Sequence, residues 1–337
     1  MKYSIIIPVF NRPDEVDELL QSLTQQTETD FEVVIVEDGS TKTAEKVVEK
    51  YADQLAIHYF KKDNSGPGPS RNYGVERAQG EYVVILDSDV VLPTGYLQAI
   101  TDELSANPCD AFGGPDRAHE SFTQVQKAIS YSMTSFFTTG GIRGGKKKMD
   151  KFYPRSFNMG VNRSVYNALG GFSRMRFGED IDFSIRIFEG GYKCRLFPEA
   201  WVWHKRRTDM DKFFKQVFNS GIARINLEKR HPGSMKLVHL LPTVFTIGTI
   251  LLIVLALVAR MLGSWTWLYF LLPIEIFCLL IFIDSSIQNK SLTVGALSIE
   301  AAFVQLYGYG FGFLKAWWQR CVLKKPEFSA YEKNFYD

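Results

Sequence analysis

The chain has 337 residues, room for about two domains, and its charges nearly cancel, with 39 Lys and Arg against 37 Asp and Glu for a net charge of +2. That balance excludes a polyanion binder by charge alone, and 46% hydrophobic against 23% charged residues excludes a disordered chain. Cys109, Cys194, Cys278 and Cys321 lie far apart with no CxxC pair, which argues against a disulfide scaffold and a thiolate zinc site and fits a reducing compartment.

The first 110 residues alternate strand and helix. Residues 3–9 (YSIIIPV) are a β-branched run suited to a strand buried on both faces, and no long apolar leader precedes Asn11 and Arg12, so no secretory signal is expected. Pro13 and Asp14 then open an amphipathic stretch with Val16, Leu19, Leu20 and Leu23 at helical spacing. Residues 31–36 (FEVVIV), 57–60 and 82–86 (YVVIL) read as further strands, with helices over 43–51 and 70–78 and a turn at 64–69 (NSGPGP). This alternation predicts an α/β fold with a doubly wound, Rossmann-like, mostly parallel sheet whose ligand groups gather at the strand carboxyl ends.

Residues 111–238 are less regular. Residues 138–148 (TTGGIRGGKKK) are expected to form a mobile loop on which Lys146, Lys147 and Lys148 guide an anionic donor or a lipid phosphate, unless they are a solvated charge run. Strands are expected at 157–161, at 192–197 and just before His204. Residues 240–259 contain no Asp, Glu, Lys or Arg and as a helix extend about 30 Å, enough to cross a hydrocarbon core. Residues 265–283 are a second candidate span, with Glu275 its one internal carboxylate, and the short connection makes the pair a helical hairpin. Residues 292–314 are ambiguous: Glu300, Gln305, Gly308, Gly310 and Gly312 lower their fitness as a span, and a third crossing would carry the basic tail to the wrong side. The expectation is two spans plus an interfacial or re-entrant segment.

Carboxylates at strand ends carry the chemistry. Asp87-Ser88-Asp89 follows a buried strand, where two acids can share Mg²⁺ or Mn²⁺ or be plain solvated loop residues. Asp38 ends another strand and can accept a hydrogen bond from a nucleobase or cap the next helix. No GxGxxG follows the first strand, so a dinucleotide site has little support. Glu179 and Asp180 fit either a catalytic pair or a first-turn pair favoured by the helix dipole. Asp182, two residues on, points to a different side.

Seven blocks occur in order: SIIIPVFN at 4–11, EDGS at 37–40, GPSRNYG at 68–74, LDSD at 86–89, FNMG at 157–160, GGF at 170–172 and FGEDID at 177–182. Together they resemble a family 2 glycosyltransferase with the GT-A fold, over roughly residues 3–210. The resemblance implies that Pro8, Val9 and Asn11 line the nucleotide pocket, that Asp38 recognises the base and that Arg71 faces the nucleotide and its phosphates. It implies that Asp87 and Asp89 form the metal-binding DxD motif, with Asp87 also on the donor side, and that Asp180 is the catalytic base with Glu179 holding acceptor hydroxyls. His204 would be a third metal ligand or a diphosphate contact, unless it is a structural histidine beside aromatics, and Trp201 and Trp203 either stack on a sugar or a lipid acceptor or pack the core. The family turn has two aspartates where this chain has Glu37 first. Gln216 and Arg224 lack the spacing of the QxxRW block, which speaks against processive synthesis.

The resulting expectation is an inverting, Mg²⁺- or Mn²⁺-dependent transfer of a sugar from a nucleotide-diphospho-sugar, uridine-linked in the main version, to a membrane-associated, polyprenyl-linked glycan in bacterial cell-surface polysaccharide assembly. The alternatives are transfer to polyprenyl phosphate itself and a non-catalytic membrane scaffold. The domain expectation is a GT-A domain over 1–235, with a nucleotide-binding half (1–110) and an acceptor half (111–235), a hairpin over 236–290, and an interfacial or third segment with a basic tail over 291–337. Lys205, Arg206, Arg207, Lys212 and Lys215 are expected near anionic lipid, at the cytoplasmic face of the cell membrane. No nucleic-acid partner is expected, and the oligomeric state is open.

Overall fold

The β-branched runs become one sheet, and the amphipathic segments between them become its covering helices. The computed structural model describes residues 1–117, 122–140, 152–205 and 208–327. In chain order these form β1 (Tyr3–Val9), α1 (Pro13–Thr24), β2 (Phe31–Asp38), α2 (Glu45–Glu49), β3 (Ile57–Lys62), α3 (Pro67–Val75), β4 (Tyr82–Leu86), β5 (Val90–Val91), α4 (Tyr96–Ala106), β6 (Ala111–Gly113) and β7 (Asp116–Arg117). There follow α5 (Gln124–Thr134), α6 (Phe136–Thr139), β8 (Asn158–Asn162), α7 (Arg163–Ala168), α8 (Glu179–Glu189), β9 (Cys194–Leu196), β10 (Val202–His204), α9 (Met210–Arg230), α10 (Leu241–Met261), α11 (Trp267–Asn289) and α12 (Leu292–Trp317). The lysine run 146–148, Arg206, Arg207 and the last ten residues lie outside the described residues.

The described chain divides into two compact units: 1–117 with 152–205, and 122–140 with 208–327. In the first, a seven-stranded sheet has the order β3-β2-β1-β4-β8-β6-β9. The four strands β1 to β4 are mutually parallel, whereas β8 is antiparallel to both of its neighbours. The period of two in each strand divides its side chains between two cores. Ile5, Ile7, Val33, Ile35, Val84 and Leu86 meet Leu19, Leu20 and Leu23 of α1 on one face. Ile6, Val34, Val36, Val83 and Ile85 meet Val75, Phe172 and Phe183 on the other. Each fully buried aliphatic contributes about 1.5–3 kcal/mol, so a one-residue slip of β1 or β2 would exchange both cores at once.

Three findings modify the sequence reading. The helix expected from Ser70 begins at Pro67, because Gly66, with φ of 90°, turns the chain and proline fits a first helical position, where no amide bond is lost. The expected strand at 192–197 is only Cys194–Leu196. A small second sheet, β5-β10-β7, was not legible because its strands have two or three residues; His204 lies within β10 rather than after it.

In the second unit α12 is the helix on which α5, α9, α10 and α11 pack. Residues 292–314 therefore lie in one unbroken helix, and the glycines do not interrupt it. A Cβ on Gly312 would stand 2.0 Å from the Phe218 carbonyl oxygen, and one on Gly221 of α9 would stand 2.2 Å from that of Tyr309. Glycine is there because two helix backbones touch. Leu237–Met261 and Trp267–Asn289 are long and apolar enough to cross a membrane, with mean hydropathy of 2.5 and 2.1, and are mostly unburied within the protein.

Candidate active site

The parallel strands β1, β2 and β4 end at one edge of the sheet, and the polar blocks of the sequence emerge there. After β1, Asn11 adopts a positive φ of 56°, and its Oδ1 accepts the amides of Thr41 and Lys42 at 2.8 and 2.9 Å. Its own amide donates to Ser40 Oγ at 2.8 Å, so Asn11 ties the loop after β1 to the loop after β2. Pro8 is half-buried and Val9 buried. Glu37 accepts the Ala44 amide and the Tyr59 hydroxyl at 2.9 and 2.8 Å, and also Ser40 Oγ. It braces the turn from within.

Asp38 is buried, and both of its carboxylate oxygens already accept hydrogen bonds. Oδ1 takes Lys62 Nζ at 2.6 Å and the Ser65 amide at 2.9 Å, and Oδ2 takes the Gly66 amide at 2.8 Å. The carboxylate thus closes residues 63–66 and fixes the start of α3. That helix presents Arg71, whose Nη2 donates to Asp87 at 2.8 Å and whose Nη1 donates to Glu179 at 3.0 Å. Arg71 is buried, and its Nε has no partner. The acids around it hold its proton more firmly than its burial weakens it, so it stays charged.

Asp87 and Asp89 occupy the turn between β4 and β5. The antiparallel register pairs His204 of β10 with Val90, the residue after Asp89, and the Lys205 amide donates to the Asp89 carbonyl at 3.1 Å. As a result one ligand atom from each of Asp87, Asp89 and His204 lies within 4.8 Å of the others. His204 Nε2 is 3.2 Å from Asp89 Oδ1, its ring stacks on Phe157 with centroids 4.8 Å apart, and its Nδ1 is buried without a partner. Two carboxylates and an imidazole suit a divalent cation such as Mn²⁺, which accepts mixed oxygen and nitrogen donors more readily than Mg²⁺.

Gly178, with φ of 85°, starts α8, whose first turn holds Glu179, Asp180 and Asp182. Asp180 Oδ2 accepts Arg155 Nε at 2.6 Å and its Oδ1 accepts the Ile181 amide at 2.8 Å. Burial raises its proton affinity, but the Arg155 and Arg71 guanidiniums and the amide outweigh that, so the carboxyl is held below the ordinary aspartate range. Burial pushes Glu179 the other way, above its ordinary value, against the pull of Arg71. Asp182 is buried and accepts Ser173 Oγ at 2.7 Å and Arg186 Nε at 3.0 Å, while Arg186 also reaches the Leu169 and Gly171 carbonyls. It is a brace for the glycine turn.

Asp87, Arg71 and Glu179 thus form one connected chain from the acidic turn to the start of α8, where Asp180 is the next residue. Trp201 and Trp203 meet edge to face at 4.8 Å, with the Arg117 guanidinium over Trp201. Three groups escaped the sequence reading: Lys62 on Asp38, Arg155 on Asp180, and Arg12, whose Nη1 donates to Asp89 at 2.9 Å. Only Arg12, beside Asn11 in a quoted block, carried any signal.

The family model for glycosyl transferase family 2 matches residues 4–170. Poly(ribitol-phosphate) β-N-acetylglucosaminyltransferase TarS from Staphylococcus aureus is 41% identical over 93 residues, which are 26% of this chain and 16% of that protein. The match therefore spans a small part of that curated relative's length. A mannosyltransferase from Pyrobaculum calidifontis, solved in complex with GDP-Man and Mn²⁺, superposes with a TM-score of 0.64 at 18% identity, covering 91% of this chain and 87% of that one. S. aureus TarS 1–349 in complex with UDP gives a TM-score of 0.50 at 19% identity, covering 94% and 91%. The chain therefore carries a glycosyl transferase family 2 domain on a mostly parallel, GT-A-like α/β fold.

Proposed function

We propose that the chain is an inverting glycosyltransferase acting by a single displacement. An acceptor hydroxyl oxygen attacks the anomeric carbon of a nucleotide-diphospho-sugar. The bond from that carbon to the phosphate oxygen breaks, its electron pair leaves with the diphosphate, and the hydroxyl proton passes to Asp180. Arg71 supports this reading, because it meets the phosphate-side acid Asp87 at 2.8 Å and, at 3.0 Å, Glu179, the residue next to the base Asp180.

Asp87, Asp89 and His204 would hold a divalent cation, which would offset charge on the departing diphosphate. Arg71 stays cationic for the phosphates, and Glu179 orients it and acceptor hydroxyls. Asp38, Asn11, Pro8 and Val9 shape the base site, Asp38 by fixing residues 63–66. The donor is uridine-linked in this reading, following the likeness to TarS, and the acceptor is a polyprenyl-linked glycan presented at a bacterial cell membrane. Residues 1–235 would act at the cytoplasmic face, where nucleotide sugars are made, with 236–290 as the anchoring hairpin.

The test is turnover by the detergent-extracted full chain with UDP-glucose, UDP-galactose, UDP-N-acetylglucosamine or GDP-mannose and Mn²⁺, offered a lipid extract or bare polyprenyl phosphate. The expected result is a product on extracted glycolipid, lost in Asp180→Asn while calorimetry still shows nucleotide binding. Product on polyprenyl phosphate alone would replace the acceptor assignment, and full turnover by Asp180→Asn would remove the proposed base.

A further inference from the structure

We propose that Arg155 is a positioning residue for the transfer, fixing the Asp180 carboxylate toward the acceptor and keeping it ionised; this rests on Asp180 being the base. The carboxylate is held at two points, Oδ2 by Arg155 Nε at 2.6 Å and Oδ1 by the Ile181 amide at 2.8 Å. One contact alone would leave the group free to rotate about its last bond; two fix its plane. Arg155 also lies on the open side of the pair: its side chain is 36% exposed against 10% for Asp180. Its Nη1 and Nη2 make no hydrogen bond to the described residues, so the outward half of the guanidinium is available to an acceptor oxygen next to the hydroxyl being deprotonated.

The charged groups facing Asp180 fix the direction of the effect. Arg155 and Arg71 favour the carboxylate, while Glu179 on the same helix opposes it. Asp116 faces Arg155 from β7, and Asp87 faces Arg71 from the β4–β5 turn. Without Arg155, burial and the Glu179 charge act against only Arg71 and the Ile181 amide, and the affinity of Asp180 for a proton rises. In the parent enzyme Asp180 is ionised throughout the neutral range and imposes no acidic limb there. Loss of the guanidinium moves that limb up by about one to three pH units, the usual influence of an adjacent arginine on an aspartate. Misplacement of the base lowers kcat by about 10²-fold.

Two measurements on the whole chain test this. The first is the pH dependence of kcat for Arg155→Gln and Arg155→Lys with the donor turned over in the panel above, alongside nucleotide affinity by calorimetry. Arg155→Gln is expected to keep donor affinity within about twofold, lose kcat by about 10²-fold and gain an acidic limb, while Arg155→Lys recovers much of the rate and loses the limb. The second needs no substrate: dicyclohexylcarbodiimide attacks protonated carboxyls, and mass spectrometry locates the adduct. At pH 5 Asp180 is expected to remain unlabelled in the parent chain and to become labelled in Arg155→Gln. An unlabelled Asp180 in the variant, or a fall in kcat with the pH profile unmoved, overturns the assignment. An inactive Asp180→Asn beside an Arg155→Gln of parental rate leaves the base in place and removes Arg155. A fully active Asp180→Asn removes both.

Discussion

Arg12 and a divalent cation would share Asp89. The guanidinium donates to Asp89 Oδ2 at 2.9 Å and to Glu15 at 3.2 Å, while Asp87 and His204 flank the same carboxylate. A positive charge this close opposes a divalent ion, so Arg12→Gln is expected to tighten Mn²⁺ binding without nucleotide by about tenfold, a modest share of the repulsion at an effective dielectric near 20. Calorimetric titration of metal alone checks this, and unchanged or weaker binding rejects it. The cysteines give an independent prediction. Burial pushes the Cys109 thiol up to about 11 and Cys194 up to about 12, whereas Cys321 is exposed. Because the thiolate is the reactive form, iodoacetamide at pH 8 should alkylate Cys321 in the native protein and reach Cys109 and Cys194 only on unfolding. Early labelling of Cys109 would contradict its buried position. Asp87, Asp89 and Asp180 were legible as candidates because each follows an apolar strand or a glycine, where an acid has no packing reason to be. Arg155 and Lys62 were not, because a single basic residue in an unpatterned stretch carries no period, and only folding shows which acid it meets.

Among the elements, β1, β2 and β4 were legible because a β-branched run buried on both faces has few alternatives. β8 was readable as a strand, but its antiparallel direction was not, since periodicity carries no direction. The two- and three-residue strands β5, β7 and β10 are defined by their partners alone, yet they bring His204 beside Asp89. α12 shows the opposite limit: its glycines lower helix propensity, and only the packed neighbours reveal that they allow close approach. Gly312→Ala should therefore cost stability, since even a methyl group lands 2.0 Å from the Phe218 carbonyl. Overpacking of this kind costs about 1–3 kcal/mol. Gly248 of α10 supplies the control, because its Cβ position meets nothing within 4 Å. Gly248→Ala should instead be neutral or stabilising by up to about 1 kcal/mol, the helix-propensity difference. Thermal unfolding of both variants in detergent, followed by tryptophan fluorescence, decides this; equal shifts would mean that glycine is not required at the α9–α12 contact.

For the whole molecule, the nearly neutral total charge hides two kinds of surface. Leu251, Val254, Leu257 and Val258 of α10 and Leu279, Leu280 and Ile283 of α11 are exposed large hydrophobics, whereas Ile5, Ile6 and Ile7 of β1 are fully buried. Soluble monomers ordinarily keep uncovered apolar patches within a few hundred Å², so these side chains point to a further covering surface. Helices of 25 and 23 residues match a hydrocarbon core of about 30 Å at 1.5 Å per residue. Electrostatic attachment through the basic residues Lys212 and Lys215 would be a much weaker hold, about 1 kcal/mol for each charge near an anionic surface and screened by salt. The two modes separate on extraction. If α10 and α11 cross the bilayer, the full chain stays in the membrane pellet through 1 M salt and through carbonate at pH 11, and leaves only with detergent. Release by salt would identify surface attachment through the basic residues, and release by carbonate would show that neither helix crosses, leaving their exposed faces to be covered by protein instead.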